Sequence, residues 1–408
     1  VHLWSLDASP DAADPLRWAA NDAVLSVMHL AAELEQRELA APTFLVTDGA
    51  QPVAGVSETG LLQSSLLGVG RVLHHELSGL QARLVDLDPR DRDASAAMLL
   101  DELTVAGTDE DQVAYRDGAR LVARLYPSAR SGGRIPARMR PDGAYLVTGG
   151  LGALGRLVLV ALADRGAGHL IVTSRSGLPP RAEWDALTDA AQRDGVAAVR
   201  AAEASGATVH VVPVDVTDAR ALSDTLARLH AAGVPALRGV IHSAGAVDDQ
   251  ILVRMTQEQV ERVVRPKVLG GWALHEATAG EPLDFFTLFS SISAVIPSPG
   301  QGNYAAGNAF LDALAHYRRA QGLPALSINW GPWDAGMIAS LGLRELYGQR
   351  GIDLIDPETG MTLLAELLGS GEVQQGVVSA HWPTVIESYA LTPILVAHLG
   401  RGEEDGDH

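Results

Sequence analysis

The chain has 408 residues, 47% of them apolar and 20% charged, enough to bury the cores of roughly two to three domains and too hydrophobic for a disordered segment. Its 50 acidic and 31 basic residues leave a net charge of −19, which argues against a nucleic-acid partner because phosphate binding needs a concentrated cationic surface. With no cysteine in the chain, disulfides, thiolate metal sites and cysteine nucleophiles are excluded.

Strand-like and helix-like patterns alternate along the chain, which predicts α/β layers built on largely parallel sheets. In the first third, strands are expected at 2–6, 43–47 and 82–87, with a hairpin of 111–116 and 119–125 around Asp117-Gly118. Asp-Gly suits a tight primed turn. Helical patterns fall at 16–38, 61–78 and 93–106, and Pro/Gly/Arg-rich residues 127–142 read as an interdomain linker. A second alternation then supplies strands at 143–148, 168–173, 207–212, 236–241, 284–289 and 325–330. Helices are expected between them at 152–165, 183–204, 218–231, 256–279 and 303–321, and 331–360 reads as a lid or loop region. Six parallel strands with crossover helices make a doubly wound sheet.

The first 20 residues carry Asp7, Asp11 and Asp14 and lack the apolar core of a secretory signal. Residues 285–311 are free of charge, but Pro297, Pro299 and several glycines break them up, which a bilayer helix would not tolerate. The expectation is a cytoplasmic protein with no membrane partner. A start at Val1 and an acidic tail at 401–408 suggest a piece of a longer polypeptide.

One turn carries a phosphate-binding signature. Thr148 ends a strand and is followed by Gly149, Gly150, Leu151, Gly152, Ala153, Leu154 and Gly155, which contain G-x-G-x-x-G ahead of a helix. Such glycines allow a tight turn and close approach of backbone amides to a pyrophosphate at a helix N-terminus. About 20 residues on, where an NAD site usually has an acid, stand Ser174, Arg175 and Ser176. A guanidinium flanked by hydroxyls suits a 2′-phosphate, so NADPH is the expected cofactor. Asp215 and Val216 close the third strand of this half, where an adenine would lie.

Tyr304 and Asn308 are four apart and share a helix face, 13 residues after Ser291 at a strand end. A tyrosine titrating near ~10 needs a nearby cation to work in acid–base chemistry at neutral pH. Lys267 is the only lysine in the chain. His74-His75-Glu76 is read as structural, His242 as ordering the cofactor-side loop, and Asp312 with Arg318-Arg319 as a solvated helix face. No metal site is expected.

These segments resemble a known family. TGGLGALG, HSAGAVDD, PKVLGGWALHE, FSSISAVIPSPGQGNYAAGNAFLDALA and INWGPW are similar, in order and spacing, to the ketoreductase domain of modular polyketide synthases, within the short-chain dehydrogenase/reductase superfamily. The resemblance implies two Rossmann-like subdomains: a truncated, cofactor-free structural one at 1–140 and a catalytic one at 141–400, with 401–408 as linker. It implies that Tyr304 protonates a β-carbonyl oxygen, Ser291 hydrogen-bonds it and Lys267 lowers the tyrosine pKa; Ser290 is the rival for the serine role. Asn308 stands where ordinary short-chain reductases carry lysine, and this exchange is typical of polyketide ketoreductases. Ser243, Ala244 and Gly245 join the cofactor-side residues. Val247, Asp248 and Asp249, similar to a Leu-Asp-Asp motif, with Pro299 and Asn303, resemble the substrate-orienting residues of B-type, non-epimerising domains. Such a domain yields a D-(3R)-hydroxyl on an acyl-carrier-protein-bound chain, beside neighbouring synthase domains. The alternatives are a free-standing reductase of small ketones and a redox-silent or epimerising relative.

Overall fold

The structure is a computed structural model describing residues 1–53, 55–104, 110–128, 137–336, 342–389 and 395–399. Its first sheet runs β1 (Phe44–Asp48), β2 (Arg83–Leu87), β3 (Gln112–Arg116) and β4 (Ala119–Val122) in that spatial order. The first three strands are parallel, and β4 folds back antiparallel through Asp117 and Gly118, both at positive φ as a primed hairpin turn requires. The expected strand at 2–6 is not one: only His2 bridges Leu45, and Trp4–Asp7 wind into a 3-10 turn. The helices of this half are α1 (Ala23–Gln36), α2 (Glu58–Gln63), α3 (Ser65–Glu76) and α4 (Arg92–Thr104). Thus the single helix expected at 61–78 is two, and a π turn at Trp18–Asp22 precedes α1.

The second sheet contains β5 (Ala144–Thr148), β6 (His169–Ser174), β7 (Thr208–Pro213), β8 (Leu237–His242), β9 (Phe285–Ser291) and β10 (Leu326–Trp330). A seventh parallel strand, Gln374–Val377, extends the edge beside β10 and has no counterpart among the expected elements. The spatial order, from β7 through β6, β5, β8, β9 and β10 to Gln374–Val377, is that of a doubly wound α/β fold whose direction reverses between β5 and β8. Its helices include α5 (Ala153–Asp164), α6 (Ala190–Ala204), α7 (Ala219–Ala231), α8 (Gln257–Ala277) and α9 (Gly302–Ala320), followed by Pro357–Leu368 and Trp382–Ser388. The helix expected at 183–204 is broken. A 3-10 turn at Arg181–Ala186 brings the Trp184 ring against the guanidinium groups of Arg181 and Arg200, and α6 restarts under an Asp189 cap. The expected lid at 331–360 contains a helical turn, Arg344–Gln349, and a short strand, Ile352–Asp353, that pairs with Ser379–Ala380. Part of the 127–142 linker and all of the 401–408 tail lie outside the described residues.

α3 and α9 join the two sheets. Gly68 sits so close to α9 that a Cβ there would lie 2.2 Å from the Ala305 carbonyl oxygen. One apolar cluster, including Leu66, Val69 and Leu73 of α3 and Ala305, Ala306 and Phe310 of α9, runs through this contact. The helix carrying Tyr304 is thereby held from the N-terminal half.

Candidate active site

The glycine turn is built around contacts that a side chain would destroy. Gly149 has φ +65°, and a Cβ on it would come within 2.7 Å of Ala244 Cα. A Cβ on Gly155 would meet the Gly149 oxygen at 2.3 Å, so the third glycine lets α5 pack onto the turn. Gly152 is the N-cap of α5, which directs the helix N-terminus toward the crevice at the sheet's switch point. Leu151 follows in the turn, and Leu154 lines the adjoining cavity. The residues therefore fit a pyrophosphate: a close backbone approach and a helix terminus without a side-chain cap.

Thr148 is buried, and its hydroxyl hydrogen-bonds His242 Nδ1 at 2.7 Å, while its carbonyl accepts from the Ser243 amide and hydroxyl. Burial, together with the Lys267 charge, pushes His242 down to about 3. It stays neutral and acts as a strut between β5 and β8. At the end of β6, Ser174 Oγ accepts from the Gly177 amide at 3.0 Å. Arg175 and Ser176 are exposed, and among the described residues the Arg175 guanidinium has no ion-pair or hydrogen-bond partner. Asp215 is also exposed and accepts from the Thr217 amide and hydroxyl, whereas Val216 is buried beside Gly270 of α8.

Beyond the carboxyl ends of β8, β9 and β10 lies a cavity of about 570 Å³ lined by Ser243, Gly245, Lys267, Ser291 and Tyr304. Lys267 is only 4% exposed. Gly245 and Gly307 leave room for its stem, its Nζ donates to the Phe289 carbonyl at 3.1 Å, and it stands 5.3 Å from the centre of the Tyr304 ring. Burial lowers Lys267 to about 8, with the Asp312 charge acting the other way. Burial raises the Tyr304 phenol above its usual value, opposed by hydrogen bonding from Asn308 and Ser291. At neutral pH the crevice thus holds a protonated phenol beside a protonated amine.

The two serines differ in what their hydroxyls are free to do. Ser290 Oγ donates to the Asn308 carbonyl and accepts from Asn329 Nδ2, so both functions are committed inside the fold. Among the described residues Ser291 Oγ accepts from the Ser293 amide and hydroxyl. Asn308 Nδ2 donates to the Tyr304 carbonyl at 2.8 Å, one turn back along α9.

Of the five residues expected to orient substrate, Val247 and Asp249 line the cavity. The other three do not. The Asp248 carboxylate is taken up by Arg262 and Gln259, and Pro299 is exposed outside the cavity wall. Asn303 is fully buried; its Nδ2 donates to the Asp248 and Gln259 carbonyls and its Oδ1 accepts from the Tyr304 amide. It ties the 247–249 loop to α9.

The far wall of the cavity includes Tyr347, Trp382 and Tyr389, which sequence reasoning missed. The spacing of Trp382, Val385 and Tyr389 on one helical face was the available signal. Asp312 and Arg318 also need correction, because neither is solvated. Asp312 accepts from Ser327 and Asn329 beneath the cavity, and Arg318 lies over the Phe286 ring, donating to the Pro324 carbonyl and meeting His275. Arg319 is exposed, as expected. No group of three metal-ligating side chains occurs among the described residues.

Fold and crevice together are those of the short-chain dehydrogenase/reductase type. Comparison with known proteins narrows this. The family described as "KR domain" matches residues 143–335. A phenolphthiocerol/phthiocerol polyketide synthase polypeptide of Mycobacterium tuberculosis is 39% identical over 326 residues, covering 79% of this chain and 17% of that protein. A solved A1-type ketoreductase aligns with TM-score 0.80 and 33% identity, covering 92% of this chain and 77% of the other. A C2-type ketoreductase from a modular polyketide synthase aligns with TM-score 0.82 and 30% identity, covering 97% and 83%. The chain belongs to the ketoreductase-domain family of polyketide synthases, and it is an oxidoreductase. It spans less than a fifth of the length of the curated relatives it matches, at 17% and 18% of two of them. Among the described residues no helix is long and apolar enough to cross a membrane.

Proposed function

We propose that this chain uses NADPH to reduce a β-ketoacyl thioester carried on an acyl carrier protein, within a polypeptide that holds further synthase domains. The observation that carries the reading is the buried Lys267–Tyr304 pair with Ser291 at one wall of the cavity, next to the glycine turn. NADPH rather than NADH is favoured by Arg175, whose guanidinium is exposed and uncommitted at the end of β6. Thr148, Gly149, Gly150, Leu151, Gly152, Leu154, Ser174, Arg175, Ser176, Asp215, Val216, Ser243, Ala244 and Gly245 would hold the cofactor, which supplies a hydride when bound.

The protein's own task is the proton and the carbonyl oxygen. Ser291 Oγ donates to that oxygen and positions it. The Tyr304 phenol, kept protonated by burial, gives its proton to the oxygen as negative charge develops there. Lys267, charged below about 8, stabilises the phenolate left behind. Asn308, through its bond to the Tyr304 carbonyl, holds the helix turn on which the phenol is mounted. In this reading residues 1–140 form a structural subdomain that binds no cofactor.

For stereochemistry we favour the B-type, non-epimerising outcome, a D-(3R)-hydroxyl. Val247 and Asp249 face the cavity, and Ile296 lines it eight residues before Tyr304, where A-type domains carry tryptophan. A second reading, the A-type face, is favoured by the likeness to a solved A1-type ketoreductase. Incubation with NADPH and a carrier-bound racemic 2-methyl-3-ketoacyl thioester, followed by chiral chromatography, separates the two. A dominant 3R alcohol supports the first reading, a dominant 3S alcohol the second, and no reduction would overturn the function itself.

A further inference from the structure

Glu76 ends α3 in the half of the molecule that has no glycine turn, yet its side chain reaches the catalytic half. One carboxylate oxygen accepts from the Leu252 amide at 2.6 Å and the other from the Gly300 amide at 2.7 Å. These amides belong to different loops. Leu252 follows the loop that carries Val247 and Asp249 into the cavity, and Gly300 follows the segment that carries Ile296 and Ser298 into it. The loops also meet directly, the Gln250 amide donating to the Gly300 carbonyl at 2.8 Å and Gln301 Nε2 to Asp249 Oδ2 at 3.0 Å. Gly300 has φ +87°, a left-handed conformation that favours glycine and turns its amide toward the carboxylate. Arg71, one turn earlier on α3, braces the same region by donating to the Ala294 carbonyl at 2.5 Å and to Gln112 of β3 at 2.8 Å.

We propose that Glu76 is a positioning residue that fixes the spacing of the 247–252 and 296–301 loops, so that the cofactor-free half sets how the ketone is presented to Tyr304. A two-oxygen acceptor between two amides is a distance constraint, since both bonds form only at one loop separation. The anchor is stiff because α3 is pinned to α9 by the backbone contact at Gly68. Hydrogen bonds to an ionised acceptor are stronger than neutral ones, so truncation frees both loops together. The inference rests on the reading of these loops as the substrate side of the site.

The test uses Glu76→Ala, with Glu76→Gln keeping one acceptor oxygen should the alanine variant fail to fold. Amide hydrogen exchange, NADPH affinity by fluorescence, KM and kcat for a ketoacyl thioester, and the 3R:3S ratio are measured on each. Expected are faster exchange at Leu252 and Gly300, a KM about tenfold higher, and a 3R:3S ratio eroded by a similar factor in Glu76→Ala and by less in Glu76→Gln. NADPH affinity should change less than about twofold, because the glycine turn is not touched. Unchanged KM and product ratio in a folded variant, with or without faster exchange, would overturn the role. A wild-type chain that reduces no ketoacyl thioester would sink the proposed function instead, and the latch would then stand or fall on loop exchange and on KM for whichever ketone is reduced.

Discussion

Each sheet has a turn after its first strand, and the two turns are occupied in opposite ways. After β1, the amides of Ala50 and Gln51 point at the Asp86 carboxylate, at 2.9 and 3.0 Å, and Thr47 Oγ1 donates to the same group at 2.6 Å. Arg116 closes the far side, 2.5 Å from Asp86, with both side chains almost fully buried. After β5 the Gly150 and Gly152 amides donate only to the Thr173 and Gly149 carbonyls, and the α5 N-terminus at Gly152 carries no side-chain cap. One half has built its own anion into the place where the other can receive one. A backbone turn is thus a binding site only when the protein does not satisfy it internally. Reading Gly49 alone, which also has positive φ, would not distinguish the two.

The largest effect is expected on the open side. Tyr304→Phe removes the proposed proton donor and little volume, so kcat should fall by about 10²- to 10⁴-fold with NADPH binding nearly intact. Single-turnover kinetics with a ketoacyl thioester measure this, and near-wild-type turnover would remove Tyr304 from the chemistry. On the filled side, Asp86→Ala leaves Arg116 buried and uncompensated, which should lower stability by about 3–5 kcal/mol in denaturant titration. The NADPH affinity of the folded variant should not move, because the turn after β5 is untouched.

Arg175→Ala sharpens the comparison at the cofactor. Loss of a charge-assisted contact to phosphate should weaken NADPH by about 10- to 150-fold, with NADH much less affected. Equal losses for the two cofactors would show that the guanidinium does not read a 2′-phosphate. The smallest effect is on pH dependence. Lys267 is charged below about 8, so the rate of ketone reduction should fall as pH rises through that value. Lys267→Met should be slower at every pH and should lack this alkaline limb; an unchanged profile would mean that the limb belongs to another group.

Where the chain's local pattern and its tertiary environment agree, the elements were legible. The strands β5 to β10 lie within two residues of their expected ends, because each is a short apolar run bounded by Gly, Pro or Asp, largely buried in all but the edge strand β7. Gln374–Val377 had no such run: its Gln-Gln-Gly-Val carries a single apolar residue, which the half-exposed edge of the sheet tolerates. Asp312 and Arg318 looked solvated because charge in a helix usually is, yet Ser327 and Asn329 satisfy the one, and His275, the Pro324 carbonyl and the Phe286 ring the other. Asp248 and Asp249 could not be separated by pattern, and only the fold turns one toward Arg262 and the other toward the cavity.

The amino-acid sequence by itself determined the glycine turn, the strand–helix alternation and the Ser291, Tyr304 and Asn308 spacing, all of which are local and written within some 20 residues. It also singled out Lys267, since no other ammonium was available. Only the tertiary structure decided that Ser290 is spent inside the fold while Ser291 is not, that Tyr347, Trp382 and Tyr389 close the cavity, and that Glu76 joins two loops far from it in sequence. The physical reason is one of range. Propensity and periodicity record what a residue does to its neighbours along the chain, whereas a carboxylate or hydroxyl acquires its role from partners that folding brings to it, 18 and 39 residues away for Ser290 and 176 and 224 away for Glu76.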